Sequence, residues 1–215
     1  IYFDTERGTL SGLLYLPKGV SASNPAPALV TTHGYLNSAE MQDANAIEMS
    51  RRGYVVLALD MDDHGHSKGN EQNTGMFFSF WPRSQFDAVT YMYEQDYVLK
   101  DADGNGMIGV TGHSMGGFSS EMAVMFDETE NFAATGIRKI HAILTEGADY
   151  QWSSYMGLDI NAADATAGGR YYGKVCAQYD EFFFNNPEEK APGTVVKKNY
   201  VGTAEGLTFL QQTEA

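Results

Sequence analysis

Short segments of strand composition alternate along the chain with segments whose apolar residues recur at helical spacing. Short apolar runs suit strands buried on both faces of a sheet, and a 3.6-residue spacing suits helices that cover it. The predicted strands are residues 9–16, 28–32, 54–59, 107–111, 140–145 and 173–179. The predicted helices are residues 39–52, 84–99, 115–126 and 204–212. This order predicts an α/β fold, a mostly parallel sheet with helices on both faces.

Two of the predicted helices carry further local signals. Ser38 is placed to cap the helix at residues 39–52, and Gly53 is placed to end it. In the helix at residues 84–99, the apolar positions are Phe86, Val89, Met92 and Tyr93.

Polar residues stand at the ends of the predicted strands. They are His33, Asp60, Ser114, Glu146 and Asp180. In an open α/β sheet, ligands bind outside the carboxyl ends of the strands. The sequence therefore predicts that the candidate chemistry lies on one rim of the sheet.

A length of 215 residues predicts a single domain, residues 1–215, with a substantial core. Residues 149–172 are rich in Tyr, Trp, Gly and Ala without clear periodicity, and a connection of this length is typical of a lid or a pocket wall. The predicted sheet lacks a last C-terminal strand, so we expect a C-terminally truncated piece of a longer protein.

The charge of the chain excludes some classes of partner. With 14 Lys and Arg against 28 Asp and Glu, the formal charge is −14, which disfavours nucleic acid and anionic lipid. The single cysteine, Cys176, excludes an internal disulfide and a cysteine-based zinc site. No membrane span or signal peptide is recognisable, and the compartment and the oligomeric state stay open.

The segment Gly112-His113-Ser114-Met115-Gly116 has the Gly-x-Ser-x-Gly spacing of a nucleophile elbow. A serine lifted onto a sharp strand-to-helix turn brings neighbouring backbones so close that a Cβ at position 112 or 116 would collide. The turn exposes the Ser114 hydroxyl and directs the N–H groups of the next helix at an oxyanion formed there. The alternative is an ordinary turn rich in Gly and Ser.

Together with other segments, the elbow resembles the α/β-hydrolase fold. The matching parts are His33-Gly34-Tyr35, residues 62–67, residues 112–117 and Asp180, and the resemblance covers residues 10–180. The loop at residues 62–67 looks like an Asp-x-x-Gly-His-x-Ser element, with Asp62 or Asp60 as its aspartate, that shapes the rim. Within the fold, the motifs look like those of dienelactone-hydrolase-like and cutinase-like serine esterases.

The resemblance implies a serine esterase that acts on a small-molecule ester through an acyl-enzyme and needs no cofactor. Ser114 would be the nucleophile, the N–H groups of Tyr35 and Met115 would form the oxyanion hole, and Asp180 would be the acid. The resemblance does not specify the acyl and alcohol groups, because variable loops build those pockets. A serine peptidase or amidase is an alternative within the same chemistry.

The general base is missing from the expected place. In this fold the chain order is serine, acid, histidine, and all five histidines (33, 64, 66, 113 and 141) precede Asp180. Either the chain is truncated, which we favour, or the protein has lost its base and become a non-catalytic binding module. His64 and His66 are the internal candidates worth testing.

Other candidate residues have structural interpretations beside the functional ones. We expect His33 to brace the oxyanion loop rather than shuttle protons, His113 to be buried and packed beside Ser114, and His141 to be structural. Trp152 and Tyr155 form an aromatic pocket wall in one interpretation and pack in the core in another. His33 and the ring of Tyr35 are further candidates for lining the pocket. No metal is expected at His64 and His66, because a three-ligand cluster is absent.

Residues 101–108 imitate the first half of an EF-hand loop, Asp-x-Asp-x-Asn-Gly. The twelfth loop position would be Gly112, where a bidentate glutamate is required. We therefore expect a tight turn entering the strand at residues 107–111 rather than a calcium site.

Overall fold

The computed structural model describes residues 1–6, 8–34, 37–62, 64–69 and 81–146. The chain divides into two units, Ile1–Ala148 and Asp149–Ala215, and the second lies outside the described residues. The single domain, the lid at residues 149–172, the strand at residues 173–179 and the helix at residues 204–212 stay predictions.

Seven strands in the described part of the chain form one sheet. They are β1 (Tyr2–Thr5), β2 (Gly8–Tyr15), β3 (Ala28–Thr32), β4 (Val55–Asp60), β5 (Lys68–Gly69), β6 (Ile108–His113) and β7 (Ile140–Glu146). The strand order is β1-β2-β4-β3-β6-β7, and β5 pairs with β2. Strands β4, β3, β6 and β7 are parallel, whereas β1, β2 and β5 add an antiparallel margin.

The parallel centre of the sheet follows directly from the apolar runs. Every residue of β4 is buried, and β3 is buried at four of its five positions. Strands covered on both faces have no exposed side, so their sequences are continuously apolar rather than alternating. The predicted mostly parallel α/β sheet is confirmed.

Three longer α-helices flank this sheet within the described residues: α1 (Asp43–Arg51), α2 (Trp81–Glu94) and α3 (Met115–Phe126). A π-helix (Asp127–Phe132) and the short α4 (Ala133–Thr135) follow α3 directly. Helix α3 contacts α2, β6 and β7, and nearly all of its residues are buried. The polar residues Ser119, Ser120 and Glu121 are buried along with its apolar ones, so α3 lies in the core. In the described part of the chain, no helix is long and apolar enough to cross a membrane.

The predicted helix at residues 39–52 is present in two pieces, a 3₁₀ turn (Ala39–Gln42) and α1. The prediction that Ser38 caps it is wrong, because its side chain makes no capping bond and its hydroxyl instead donates to the Glu40 carboxylate. The Ala39 N–H donates to Asp60 Oδ1 at 2.7 Å, so a carboxylate from the end of β4 stabilises this helix start.

Helix α2 begins before the predicted residue 84 and ends at Glu94 rather than at Leu99. Its C-terminal boundary is set by tertiary pairing, since the Leu99 N–H donates to the Ala26 carbonyl and the Leu99 carbonyl accepts from the Met107 N–H.

Strands β1 and β5 were not expected from the pattern. Strand β1 is held by pairing with β2 and by Phe3, whose ring stacks on Tyr91 with centroids 4.4 Å apart.

Candidate active site

The turn at Ser114 joins β6 directly to α3. Ser114 has φ 55° and ψ −118°, and among the described residues it is the only non-glycine with a positive φ. Such a backbone is strained by about 1–3 kcal/mol and persists only where its surroundings hold it. The Ser114 N–H donates to the Glu146 carbonyl at 2.7 Å, which ties the turn to the end of β7. The predicted strand, sharp turn and helix are confirmed.

Both elbow glycines are required by close backbone approach. A Cβ on Gly112 would lie 2.3 Å from the Gly116 carbonyl carbon and oxygen, and a Cβ on Gly116 would lie 2.6 Å from the carbonyl oxygens of Thr32 and His33. The Thr32 hydroxyl oxygen lies 2.5 Å and 2.7 Å from these two added atoms. Thr32 therefore fills the space that the missing side chains leave.

We expect Gly112→Ala to lower the free energy of unfolding by about 1–3 kcal/mol through overpacking, and the melting temperature by about 2–4 °C for each kcal/mol. Gly109→Ala on the same strand is the matched control, because its nearest contact is the end of the flexible Leu29 side chain at 2.7 Å. Thermal unfolding of both variants measures the difference. Equal melting temperatures would contradict the steric explanation of the motif.

His33 follows β3 and is fully buried. Its Nε2 accepts the Met61 N–H at 3.2 Å, so the ring proton is on Nδ1, which donates to the Gly34 carbonyl at 2.7 Å. Burial lowers the pKa of His33 and keeps the ring neutral. The bracing hydrogen bonds expected of His33 are thus present, and neither ring nitrogen has a lone pair left for the serine proton.

The backbone at Gly34 passes close to the elbow. A Cβ on Gly34 would lie 3.5 Å from Ser114 Cβ and 3.4 Å from His113 Nδ1. Met115 is the first residue of α3, so its N–H has no acceptor within the helix. Tyr35, the other residue predicted for the oxyanion hole, lies outside the described residues.

Asp60 organises the loop that follows β4. Its Oδ2 accepts from the Ser11 hydroxyl at 2.6 Å and the His66 N–H at 3.0 Å, and its carbonyl accepts from the Ser67 hydroxyl at 2.5 Å. A Cβ on Gly65, whose φ is +52°, would lie 2.1 Å from Asp60 Oδ1. Asp60, one of the two aspartates considered for this element, therefore shapes this part of the rim.

The remaining histidines differ in their surroundings. His64 is buried, with Nδ1 2.9 Å from the Asp62 carbonyl and its ring centroid 5.1 Å from that of His33. His66 and His141 are exposed. The expectation that His113 is buried is wrong. It is exposed because it is the last residue of β6 and its partner strand β7 is itself largely exposed.

The predicted tight turn before β6 is confirmed. The Asp101 carboxylate accepts hydrogen bonds from the N–H groups of Asp103 and Asn105 at 2.9 Å and 2.8 Å and from the Asn105 side-chain amide at 3.0 Å. These bonds hold the pKa of Asp101 below its usual value. No group of three residues that could hold a metal ion occurs among the described residues.

The structure brings most of the predicted rim together. His33, Asp60, Ser114 and Glu146 follow or end parallel strands at the same edge of the sheet. Trp152, Tyr155, Cys176 and Asp180 lie outside the described residues, and the roles predicted for them stay predictions.

A buried polar group beneath the elbow was not predicted from the sequence. It consists of Thr32, Gln85 and Ser120, all fully buried. A signal was available, because Gln85 lies four residues before Val89 and seven before Met92 and so shares the apolar face of α2. A polar residue on such a face needs hydrogen-bond partners in the core.

Comparison with known proteins agrees with the fold. A sequence model of the X-Pro dipeptidyl-peptidase (S15) family matches residues 9–157, more than half of the chain. No curated protein matches the chain. The narrower likeness to dienelactone-hydrolase-like and cutinase-like esterases stays a prediction.

Several solved structures are similar to the chain. A hypothetical protein of Pseudomonas aeruginosa, PA2218, has a TM-score of 0.55 at 23% identity, over 79% of this chain and 48% of that one. Est1E from Butyrivibrio proteoclasticus, with ferulic acid bound, has a TM-score of 0.53 at 20% identity, over 82% and 70%. The α/β hydrolase GrgF from Penicillium sp. sh18 has a TM-score of 0.51 at 22% identity, over 67% and 44%.

These likenesses are all below 25% identity and show the fold alone. The chain spans less than half the length of GrgF and of the Pseudomonas protein. The α/β-hydrolase fold predicted from the elbow is confirmed.

Proposed function

The chain belongs to the S15 family of X-Pro dipeptidyl-peptidases, and from this membership and the elbow we propose that it is a serine hydrolase cleaving carboxylic esters through an acyl-enzyme. The observation that carries the proposal is the backbone of Ser114. This serine is held at φ 55° between β6 and α3. Neighbouring atoms leave no room for a side chain at Gly112 or Gly116. A strained turn of this kind is the setting of an exposed nucleophile.

In the proposed reaction, Ser114 Oγ attacks the ester carbonyl carbon while its proton passes to a general base. The carbonyl oxygen becomes an oxyanion that the N–H groups of Met115 and Tyr35 stabilise. Collapse of this intermediate expels the alcohol, which takes up the proton, and leaves an acyl-Ser114. Water then attacks the acyl-enzyme and releases the acid.

His33 is not a candidate for the base, because its Nδ1 proton and Nε2 lone pair are both bonded to main-chain groups. In the proposed triad, Asp180 orients a histidine and compensates its positive charge once it takes the proton. All five histidines of the chain precede Asp180, whereas the order serine, acid, histidine is typical of this fold.

A second candidate is favoured by the family match. The S15 family is named for X-Pro dipeptidyl-peptidases, so an amide that follows an X-Pro dipeptide is the alternative substrate. The same acyl-enzyme serves both reactions, since only the leaving group changes from an alcohol to an amine. Substrate preference therefore separates the two candidates, whereas labelling of the nucleophile does not.

The test combines a fluorophosphonate probe with two substrates, a short-chain aryl ester and an X-Pro anilide. We expect the full-length protein, in which a histidine completes the triad, to be labelled and to hydrolyse the ester with the higher kcat/KM. A higher kcat/KM for the anilide would favour the dipeptidyl-peptidase. Absence of both labelling and turnover would favour a non-catalytic binding module.

A further inference from the structure

Gln85 is a fully buried amide in helix α2. It lies on the face that the buried residues Val89 and Met92 turn towards the core. An amide moved from water into an apolar core costs free energy unless its donors and acceptors are satisfied. The partners of Gln85 therefore show what this buried side chain holds in place.

The side chain of Gln85 bonds to three elements of the elbow region. Its Nε2 donates to the Val30 carbonyl of β3 at 3.0 Å and to the Thr111 carbonyl of β6 at 3.2 Å. Its Oε1 accepts from the Ser120 hydroxyl of α3 at 2.9 Å. The two carbonyls cannot donate, so they fix which end of the amide is the nitrogen.

Two hydroxyls connect this amide to the elbow. Thr32 Oγ lies 3.5 Å from Gln85 Oε1 and 3.1 Å from the Gly116 carbonyl oxygen, and Ser120 Oγ lies 3.0 Å from the same carbonyl. Each hydroxyl has one proton to donate. With Ser120 donating to Gln85 and Thr32 donating to Gly116, the amide and both hydroxyls are satisfied. In this arrangement Ser120 bonds Gln85 to helix α3, which contains Gly116, while the neighbouring Thr32 bonds to Gly116 itself.

We propose that Gln85 is a positioning residue for the reaction of Ser114, an inference that rests on the proposed function. It links β3, which leads to His33 and Gly34, with β6, which leads to Ser114, and with α3, which begins at Met115. These three elements carry the nucleophile and the proposed oxyanion donors. A misplacement of about 1 Å between such groups can cost on the order of a hundredfold in rate.

The end of β3 is also held from the opposite face of the sheet. Gln42 Nε2 donates to the Thr32 carbonyl at 3.1 Å, and Gln42 Oε1 accepts from the Thr31 hydroxyl at 3.0 Å. Side-chain amides therefore bond to the end of β3 from both faces. Because Gln42 and the sheet pairing remain when Gln85 is changed, we expect the strand to stay in place while its alignment with the elbow loosens.

The test compares Gln85→Met with Gln95→Met in the purified full-length protein. Methionine keeps the length of the side chain and removes the amide, and both hydroxyls keep Gly116 as an acceptor. Gln95 follows α2, and its side-chain amide donates to the nearby Tyr91 carbonyl at 2.8 Å rather than to the elbow region, so its substitution is a matched control. For each variant, the fluorophosphonate labelling rate, kcat and KM for the aryl ester, and the melting temperature are measured.

We expect Gln85→Met to lower the labelling rate and kcat by about tenfold to a hundredfold with KM nearly unchanged. Gln95→Met should leave the labelling rate, kcat and KM near the wild-type values. Ser120→Ala, which removes one hydrogen bond to Gln85, should slow labelling by about fivefold. If Gln85→Met does not fold, the labelling rate of Ser120→Ala tests the positioning role instead. A wild-type labelling rate in a folded Gln85→Met would overturn the positioning role and leave the proposed function standing. If Gln85→Met does not fold, a wild-type labelling rate in Ser120→Ala has the same consequence. A wild-type protein that is not labelled at all would overturn the proposed function, and the positioning role with it.

Discussion

Replacing Ser114 by alanine is expected to lower the turnover of a short-chain aryl ester by at least about a thousandfold. The substitution removes the oxygen that would bond to the acyl group, so no acyl-enzyme forms. The N–H groups around the elbow remain and still stabilise an oxyanion, which leaves a small residual rate with water as the nucleophile. Labelling by the fluorophosphonate should disappear in the same variant, because the phosphorus bonds to the same oxygen.

The fold of Ser114→Ala is expected to be unchanged. Alanine has the same Cβ as serine, so at φ 55° the two residues have similar steric strain. No capping bond is lost, since the Ser114 side chain makes none to α3. Ser50→Ala, in helix α1, controls for the loss of a serine hydroxyl away from the rim. A Ser114→Ala protein that keeps most of the ester turnover and the labelling would exclude Ser114 as the nucleophile.

The parts of the molecule that the sequence predicts well are those with local physical constraints. Burial on both faces makes β3 and β4 continuously apolar, and their pattern places Thr32 and Asp60 at the strand ends. The elbow is predictable for a similar reason, because backbone atoms approach Gly112 and Gly116 too closely for a Cβ. From these elements alone, the part of the rim with His33, Asp60 and Ser114 follows, and the apolar run of β7 adds Glu146.

The features that were missed depend on contacts between residues distant in the chain. Asp60 replaces Ser38 at the start of the helix because the fold places its carboxylate 2.7 Å from the Ala39 N–H, 21 residues away in sequence. Helix α2 stops at Glu94 because the next residues pair with the chain near Ala26. The exposure of His113 depends on the exposure of its partner strand β7, which the local sequence pattern does not predict.

Gln85 is partly predictable from the local sequence and partly dependent on contacts between distant residues. The apolar spacing of α2 indicates that position 85 faces the core, so a buried amide can be predicted there. The identity of its partners cannot, because Val30, Thr111 and Ser120 come from three separate elements. A polar residue on an apolar helix face therefore indicates that a network exists, and the fold decides what that network supports.

Replacing Asp180 by asparagine is expected to lower turnover by on the order of ten thousandfold. In the proposed triad the carboxylate accepts the Nδ1 proton of the histidine, which leaves Nε2 free to take the serine proton. An asparagine side chain can donate a hydrogen bond in its place, and this favours the wrong tautomer. It also removes the negative charge that stabilises the imidazolium formed when Ser114 attacks. The kcat of the variant on the aryl ester measures the effect.

The competing candidate for the acid is Glu146, at the end of β7. Its carbonyl accepts the Ser114 N–H at 2.7 Å, and it is in register with His113, so its backbone is next to the elbow. Glu146→Gln leaves that carbonyl in place and removes only the charge of an exposed side chain. If Asp180 is the acid, Glu146→Gln should keep kcat within about tenfold of the wild-type value, because an exposed charge outside the triad is screened by solvent. A larger loss in Glu146→Gln than in Asp180→Asn would move the acid to the end of β7, beside the strand that carries the nucleophile.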